Sequence, residues 1–362
     1  MPKTSSYFSK KLILWYLAHK RDLPWRTTVI PYYIWLSEII LQQTRVEQGL
    51  PYYQAFVSAY PTVKKLANAS EQDVLKLWQG LGYYSRARNL HATAIFVTNE
   101  LNGIFPTSYK DLIKLKGVGD YTASAIASIC FDEATAVVDG NVYRVLGRYF
   151  GVFTPINSSL GIKEFKTLAQ QLIDADNPGN HNQAIMEFGA RHCKPQNPYC
   201  EVCIFNDSCV ALQQKKVSEL PVKLKKTKVK NIYFNYIVVT SNNEKTLLQK
   251  RTGKGIWQNL YEFPLIETEN ILKIDELKSL VDFQDLSKKL EINSLVLYNE
   301  VPILHKLSHR NIYTRFWIAE TSKNNYKAIS ISQIETYPVP KLIGNFITTF
   351  FKLKESGQKQ KK

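Results

Sequence analysis

Apolar residues recur at three- and four-residue spacing through most of the first 212 positions, in segments such as EQDVLKLWQGLG and SLGIKEFKTLAQQLIDAD, with Gly or Pro between them. That is the period of one helix face, and it predicts an all-α domain over 1–212. From about residue 231 the texture changes to NIYFNYIVVT, KTLLQKR, SLVLYNEV and IYTRFWIAE, short runs rich in β-branched and aromatic residues. These predict strands, and DFQDLSKKLE a helix among them, so 231–353 reads as a second, α+β domain. Between the two lies QQKKVSELPVKLKKTKVK, lysine-rich with one proline. Residues 213–230 are therefore expected to be a basic linker, either crossing an acidic surface or merely solvated. The closing KLKESGQKQKK makes 354–362 a disordered basic tail by composition.

With 44% hydrophobic and 22% charged residues over 362 positions, the chain is ordinary for a globular protein of two domains. The formal charge of +16 is the departure, and it points to a polyanionic partner unless it serves solubility alone. Twelve per cent aromatics (12%) supply surfaces on which bases could stack. The apolar run Leu12–Ala18 holds Trp15 and Tyr16, lacks a small-residue cleavage site and leads into HKRDLPWR, so it is not expected to act as a signal peptide. No stretch approaches the roughly 18 uninterrupted apolar residues of a membrane span. The expected location is the cytoplasm, with nucleoid association if the source is bacterial.

Four of five cysteines, Cys193, Cys200, Cys203 and Cys209, are spaced C-x6-C-x2-C-x5-C directly after the helical run NQAIMEFGARHC. Four thiolates so close in sequence call for a common metal partner. Disulfides would suit a small secreted scaffold with cysteines spread throughout, and here only Cys130 lies outside the cluster. Zinc also accepts four thiolates, usually through two C-x2-C knuckles, whereas only Cys200 and Cys203 make one; the long outer spacers suit a bulkier iron-sulfur cubane better. Such a cluster could carry electrons or clamp a loop, and the neighbouring Arg191 and Lys194 favour a clamp that presents positive charge.

Gly117 and Gly119 fall between two helical runs in LIKLKGVGDYTASAIASICF. A tight turn there can aim backbone N–H groups at a phosphate, or can be a plain helix-to-helix turn. In VVDGNVYRVLGRYFG, Val142, Val145, Leu146 and Tyr149 form one helical stripe and Asp139 sits at the N-cap. A carboxylate there has its charged form favoured by backbone N–H groups, although Asp-Gly is also an ordinary turn pair. Glu38, in YYIWLSEIILQQTRVEQ, has Ile34 and Trp35 one turn before it and Leu41 and Gln42 one turn after. If that face is buried, desolvation should raise its pKa into the range of a general acid; if not, it is a surface glutamate paired with Arg45. One acid kept protonated and one kept ionised is the pair that glycosidic cleavage uses.

In fixed order, LPWR, SEIILQQTRVEQ, WQGLGYYSRARNL, LKGVGDYTASAIAS, VVDGNVYRVLGR and the cysteine cluster resemble the helix-hairpin-helix DNA glycosylases of the endonuclease III-like superfamily, in their adenine-specific branch, over residues 7–210. The resemblance implies an all-α glycosylase fold with a [4Fe-4S] cluster on Cys193, Cys200, Cys203 and Cys209. It implies a base flipped from double-stranded DNA before excision. It makes Glu38 the proton donor to adenine and Asp139 the stabiliser of the sugar cation, with Tyr121 and Asn141 in support. Gln42 and Tyr83 match duplex-contacting positions, Tyr83 being otherwise a core aromatic beside Tyr84, and Trp25 and Arg26 match the adenine pocket. Bifunctional relatives carry a Schiff-base lysine where GVGDYTA has Tyr121, which cannot form an imine, so the implied enzyme is monofunctional.

RTGKGIWQNLYEFPL and HKLSHRNIYTRFW more loosely resemble a Nudix-like lesion-recognition domain that senses 8-oxoguanine opposite the adenine. The metal-binding glutamate-rich helix of Nudix hydrolases is missing after EFPL, so lesion reading rather than nucleotide hydrolysis is implied. Ser308 and His309 match part of the family's Phe-Ser-His loop, but its first position is Leu307. The implied partner is duplex DNA with A:8-oxoG or A:G mispairs, bound by a monomer. The rivals are an endonuclease III-like glycosylase/lyase, disfavoured by Tyr121; a non-catalytic damage-binding protein, disfavoured by the Glu38 and Asp139 pair; and an electron-transfer iron-sulfur protein.

Overall fold

In a computed structural model the chain is described over residues 2–224, 229–241, 244–323 and 328–359. It divides into two compact units, one formed by Met1–Asn68 with Asn89–Lys225 and the other by Ala69–Arg88 with Lys226–Lys362.

The first unit is helical. The helices Pro31–Leu41 and Pro178–Arg191 start on proline, whose fixed φ and missing N–H suit a first turn. Ser158 caps Ser159–Leu172 and Asp139 caps Gly140–Phe150 through side-chain oxygens. The core lies among these last three helices and Pro2–His19. The sequence stripe is its centre: Val142, Val145, Leu146 and Tyr149 are all buried. Phe205, from the cysteine-rich segment, stacks on Phe8 at 4.9 Å and ties that segment to the core. At the turn before the helix Asp120–Phe131, Gly117 has φ +81, and a Cβ there would stand 2.7 Å from Asn89 Cβ, so both conformation and space require glycine.

The second unit is built on two long parallel strands, Lys230–Ser241 and Arg310–Thr321, in register from Lys230 opposite Arg310 to Thr240 opposite Glu320. Strands Leu265–Thr268, Ile292–Leu297 and Ile303–Lys306 join them antiparallel. Side chains alternate between the faces. Ile237, Val239, Trp317 and Ala319 pack against Leu277, Phe283 and Leu290 of the helices Ile274–Ser279 and Val281–Leu290. On the opposite face Phe316 stacks between Tyr236 and Phe346 of the final helix. The α+β reading and the helix at DFQDLSKKLE both hold.

Three boundaries differ from the sequence reading. EQDVLKLWQGLG, expected within 1–212 as part of the first domain, belongs to the second unit: Asn259 Nδ2 donates to Glu71 Oε1 at 2.7 Å and Arg88 to the Gln258 carbonyl at 2.8 Å. The first part of the expected linker is packed, not solvated. Leu220 is buried, its carbonyl accepts from Arg148 Nε at 3.1 Å, and the Val222 carbonyl accepts from Ile156 N. Residues 225–228 of that linker lie outside the described residues. The last helix runs to Lys359, through positions 354–359 of the expected disordered tail, and 360–362 lie outside the described residues. Among the described residues no helix is long and apolar enough to cross a membrane.

Candidate active site

Nearly the whole helix Pro31–Leu41 is apolar and buried, which carries Glu38 inside with it. Glu38 is only 8% exposed, one helical turn after the buried Ile34 and Trp35. It faces a cavity of about 940 Å³ whose walls include Trp25, Arg26, Tyr121, Asp139 and Asn141. Burial pushes Glu38 up to about 7; a hydrogen bond from Tyr121 and the charge of Arg26 oppose that rise, and the Asp139 carboxylate adds to it.

Asp139 Oδ1 accepts from the backbone N–H groups of Asn141 and Val142, each at 2.8 Å, and Oδ2 accepts from Asn141 Nδ2 at 2.8 Å. Asn141 Oδ1 in turn accepts from Arg144 Nη2 at 2.8 Å. The N-cap donors are those the sequence suggested, but burial outweighs them and raises Asp139 above its ordinary value instead of lowering it. Against that burial, the three N–H donors favour the charged form of Asp139.

The sequence reading missed the opposite wall. Glu187, 1% exposed, accepts bidentate hydrogen bonds from Arg21 at 2.9 and 2.7 Å and a third from Arg26 Nη2 at 2.7 Å. Burial alone would raise Glu187, but the two guanidinium groups outweigh it and hold the carboxyl at about 2. The signal was available: Glu187 lies between Ile185 and Phe188 on an apolar run, the same oddity that marks Glu38. Beside it, Met186 Sδ accepts the Tyr121 hydroxyl at 3.2 Å. Trp25, edge-to-face on Tyr53 at 5.0 Å, and Arg26 both line the cavity.

The remaining residues lie apart from this cavity. Gln42 caps the Glu38 helix and donates to Thr122 Oγ1 at 3.2 Å, while its neighbour Gln43, at φ +57, lines the pocket. Gly119 is the N-cap of the helix that carries Tyr121, directly after Gly117 and Val118. Tyr83, at φ +46 and 52% exposed, is no core aromatic; Tyr84 takes the buried position. The Tyr83 hydroxyl hydrogen-bonds Ser308, which stands exposed with His309 on the turn where Leu307 N donates to the Arg310 carbonyl at 2.8 Å.

Cys193, Cys200, Cys203 and Cys209 line one small cavity with Arg148. N–H groups point at the sulfurs: Phe205 N lies 3.4 Å from Cys203 Sγ, Arg148 Nη1 3.5 Å from Cys193 Sγ, and the Leu212 and Ala211 amides bond Cys209. Among the described residues no group of three or more His, Cys, Asp or Glu is disposed to hold a single metal ion. Thiolates around one zinc stand roughly 3.8 Å apart on Zn–S bonds of ~2.3 Å, whereas a cubane holds them at separate corners. Convergence on one cavity, with N–H donors to sulfur, fits the larger group.

Residues 36–170 match the family model of the HhH-GPD superfamily base excision DNA repair protein, and 235–349 match the NUDIX domain. The chain is 33% identical over 362 residues to an adenine DNA glycosylase of Buchnera aphidicola subsp. Acyrthosiphon pisum, covering 96% of this chain and 100% of that one. It is 46% identical over 226 residues to the adenine DNA glycosylase of Rattus norvegicus, covering 59% of this chain and 44% of the relative. Among solved structures, a thermostable thymine-DNA glycosylase aligns at TM-score 0.54 and 30% identity over 59% of this chain and 98% of its own. An endonuclease III–DNA complex aligns at TM-score 0.52 and 20% identity over 59% of this chain and 98% of its own, which shows the shared fold.

Proposed function

The chain belongs to the adenine DNA glycosylases, and from that premise we propose a monofunctional enzyme that flips adenine from duplex DNA, opposite 8-oxoguanine or guanine, and hydrolyses its N-glycosidic bond. The observation that carries this reading is the acid pair: Glu38 is held at about 7 beside Asp139 in a single cavity.

Glu38 gives its proton to the departing adenine as the C1′–N bond stretches, and the Asp139 carboxylate stabilises the positive charge that develops on the sugar. Water adds its oxygen to C1′ and leaves its surplus proton with the carboxylates, so the products are free adenine and an abasic sugar in an unbroken strand. Tyr121 and Asn141 orient the two acids. Tyr121 offers no amine for an imine, so no strand cleavage follows. Trp25 and Arg26 line the base pocket, and Glu187, kept ionised by Arg21 and Arg26, is an acceptor inside it.

Gly117 and Gly119 present the hairpin's backbone to a phosphate. Gln42 and Tyr83 enter the duplex, and Ser308 and His309 read the opposite base. Cys193, Cys200, Cys203 and Cys209 hold a [4Fe-4S] cluster that clamps the loop bearing Lys194. The +16 charge makes duplex binding steeply salt-dependent.

Single-turnover assays on A:8-oxoG, A:G and thymine glycol:A duplexes, each with and without alkali, test this reading. Adenine release with strand breaks only after alkali is expected. Breaks at thymine glycol without alkali would move the chain to the lyase branch, and inert duplexes would leave a binding protein.

A further inference from the structure

The helix Asp120–Phe131 starts on Gly119, which has no side chain to cap it, and a Cβ there would meet nothing within 4 Å. Its first-turn N–H groups therefore lack the side-chain acceptor that Asp139 and Ser158 give to theirs. The carboxylate next to them in sequence, Asp120, is engaged elsewhere through both oxygens. Lys166 Nζ, on the helix Ser159–Leu172, donates to Asp120 Oδ2 at 3.0 Å, and the Tyr109 hydroxyl donates to Oδ1 at 2.7 Å. The ammonium has three hydrogens, and its other two go to Ser124 Oγ at 3.2 Å and to the Ala136 carbonyl at 2.8 Å. We propose that Lys166 is a positioning residue for duplex binding: with Tyr109 it keeps the Asp120 carboxylate off the amides of its own helix, which leaves those donors to a backbone phosphate. The inference rests on the hairpin being a phosphate contact.

Asp120 is exposed, as are Gly117 and Gly119, so no packing would hold a freed carboxylate away from the turn. An aspartate at a helix N-terminus is drawn to the first-turn N–H groups by hydrogen bonding and by the helix dipole. Freed, it would fill the anion site from within, and an arriving phosphate would meet a like charge. Lys166 is not itself the phosphate's partner, because its three donors are all taken. The two roles separate in a double-mutant cycle. A direct or long-range pull of the ammonium on DNA is lost equally whether or not residue 120 carries charge, whereas a role exercised through Asp120 disappears with that carboxylate.

The test compares full-length variants for affinity to a plain matched duplex, read by fluorescence anisotropy. Lys166→Met keeps the apolar stem and removes the ammonium; it should weaken binding about tenfold, but by no more than about threefold in an Asp120→Asn background. A merely structural tie would cost the same in both backgrounds, since the bonds to Ser124 and Ala136 are missing from each. Should Lys166→Met fold poorly, Tyr109→Phe removes the second tether alone: about threefold weaker binding is expected, and no loss on top of Asp120→Asn. Equal losses in the two backgrounds would overturn the proposal, and so would a folded Lys166→Met that binds as tightly as the parent. Gly117→Ala separates the failures: unchanged duplex binding there sinks the phosphate reading of the hairpin, while weakened binding there beside equal Lys166→Met losses sinks only the inference.

Discussion

Glu38 is 8% exposed on a helix whose residues are nearly all buried, whereas Ser308 and His309 are exposed on a turn between two strands. The first residue belongs to the helical unit and the others to the sheet unit. A proton donor needs a dry setting, because desolvation is what keeps a carboxyl protonated near neutrality. A reader of an opposing base needs the reverse, a side chain standing clear of its own core. On the proposed roles, burial tells of chemistry in the first unit and would mislead in the second.

That contrast breaks most sharply at Glu38. Glu38→Gln keeps the side-chain size and removes the acid, so single-turnover excision should fall by about 10³-fold while duplex affinity, read by fluorescence anisotropy, stays the same. If the rate survives, the cavity's electrostatics have been misread.

The same substitution should stabilise the fold. Glu38 holds its proton more tightly folded than unfolded, so native stability falls as pH rises from 4.5 through about 7. That gap corresponds to about 3 kcal/mol, an upper figure. Denaturant melts should show Glu38→Gln more stable than the parent at pH 8 by up to that amount and equal to it near pH 4. Equal stability at both would mean the carboxyl is not desolvated.

Gly117→Ala probes the hairpin from the side of geometry. A Cβ there is strained by φ +81 and by Asn89 Cβ at 2.7 Å, so a loss of roughly 1–2 kcal/mol in stability is expected, with weaker binding to every duplex alike. Discrimination between A:8-oxoG and A:G should not change if, as proposed, the turn meets backbone rather than bases.

Much of the first unit was legible because helix periodicity is local: the stripe Val142, Val145, Leu146 and Tyr149 and the apolar setting of Glu38 can be read without knowing the fold. Glu187 had the same signature, yet its partners Arg21 and Arg26 lie more than 160 positions away, and only the fold makes the trio visible. Asp139 shows a different limit. Its cap was readable, but the direction of its pKa depended on how much of the cavity wall closes over it. The segment 69–88 was assigned by sequence neighbourhood, while its hydrogen bonds go to residues near 258 and 338. Periodicity identifies which face is buried, never what buries it.

The smallest expected effect lies at the exposed turn. Leu307 is half-buried, its backbone N–H bonds the Arg310 carbonyl, and Ser308 beside it meets Tyr83. An aromatic ring at 307 would add a flat stacking surface next to the groups proposed to read the opposite base, worth about 1 kcal/mol. Leu307→Phe should therefore raise the ratio of A:8-oxoG to A:G single-turnover rates about fivefold, with the A:G rate and the pH profile unchanged, since nothing near Glu38 has moved. A change in both rates together would mean the turn acts on the acid pocket as well, and the division between a buried chemical site and an exposed reading site would have to be given up.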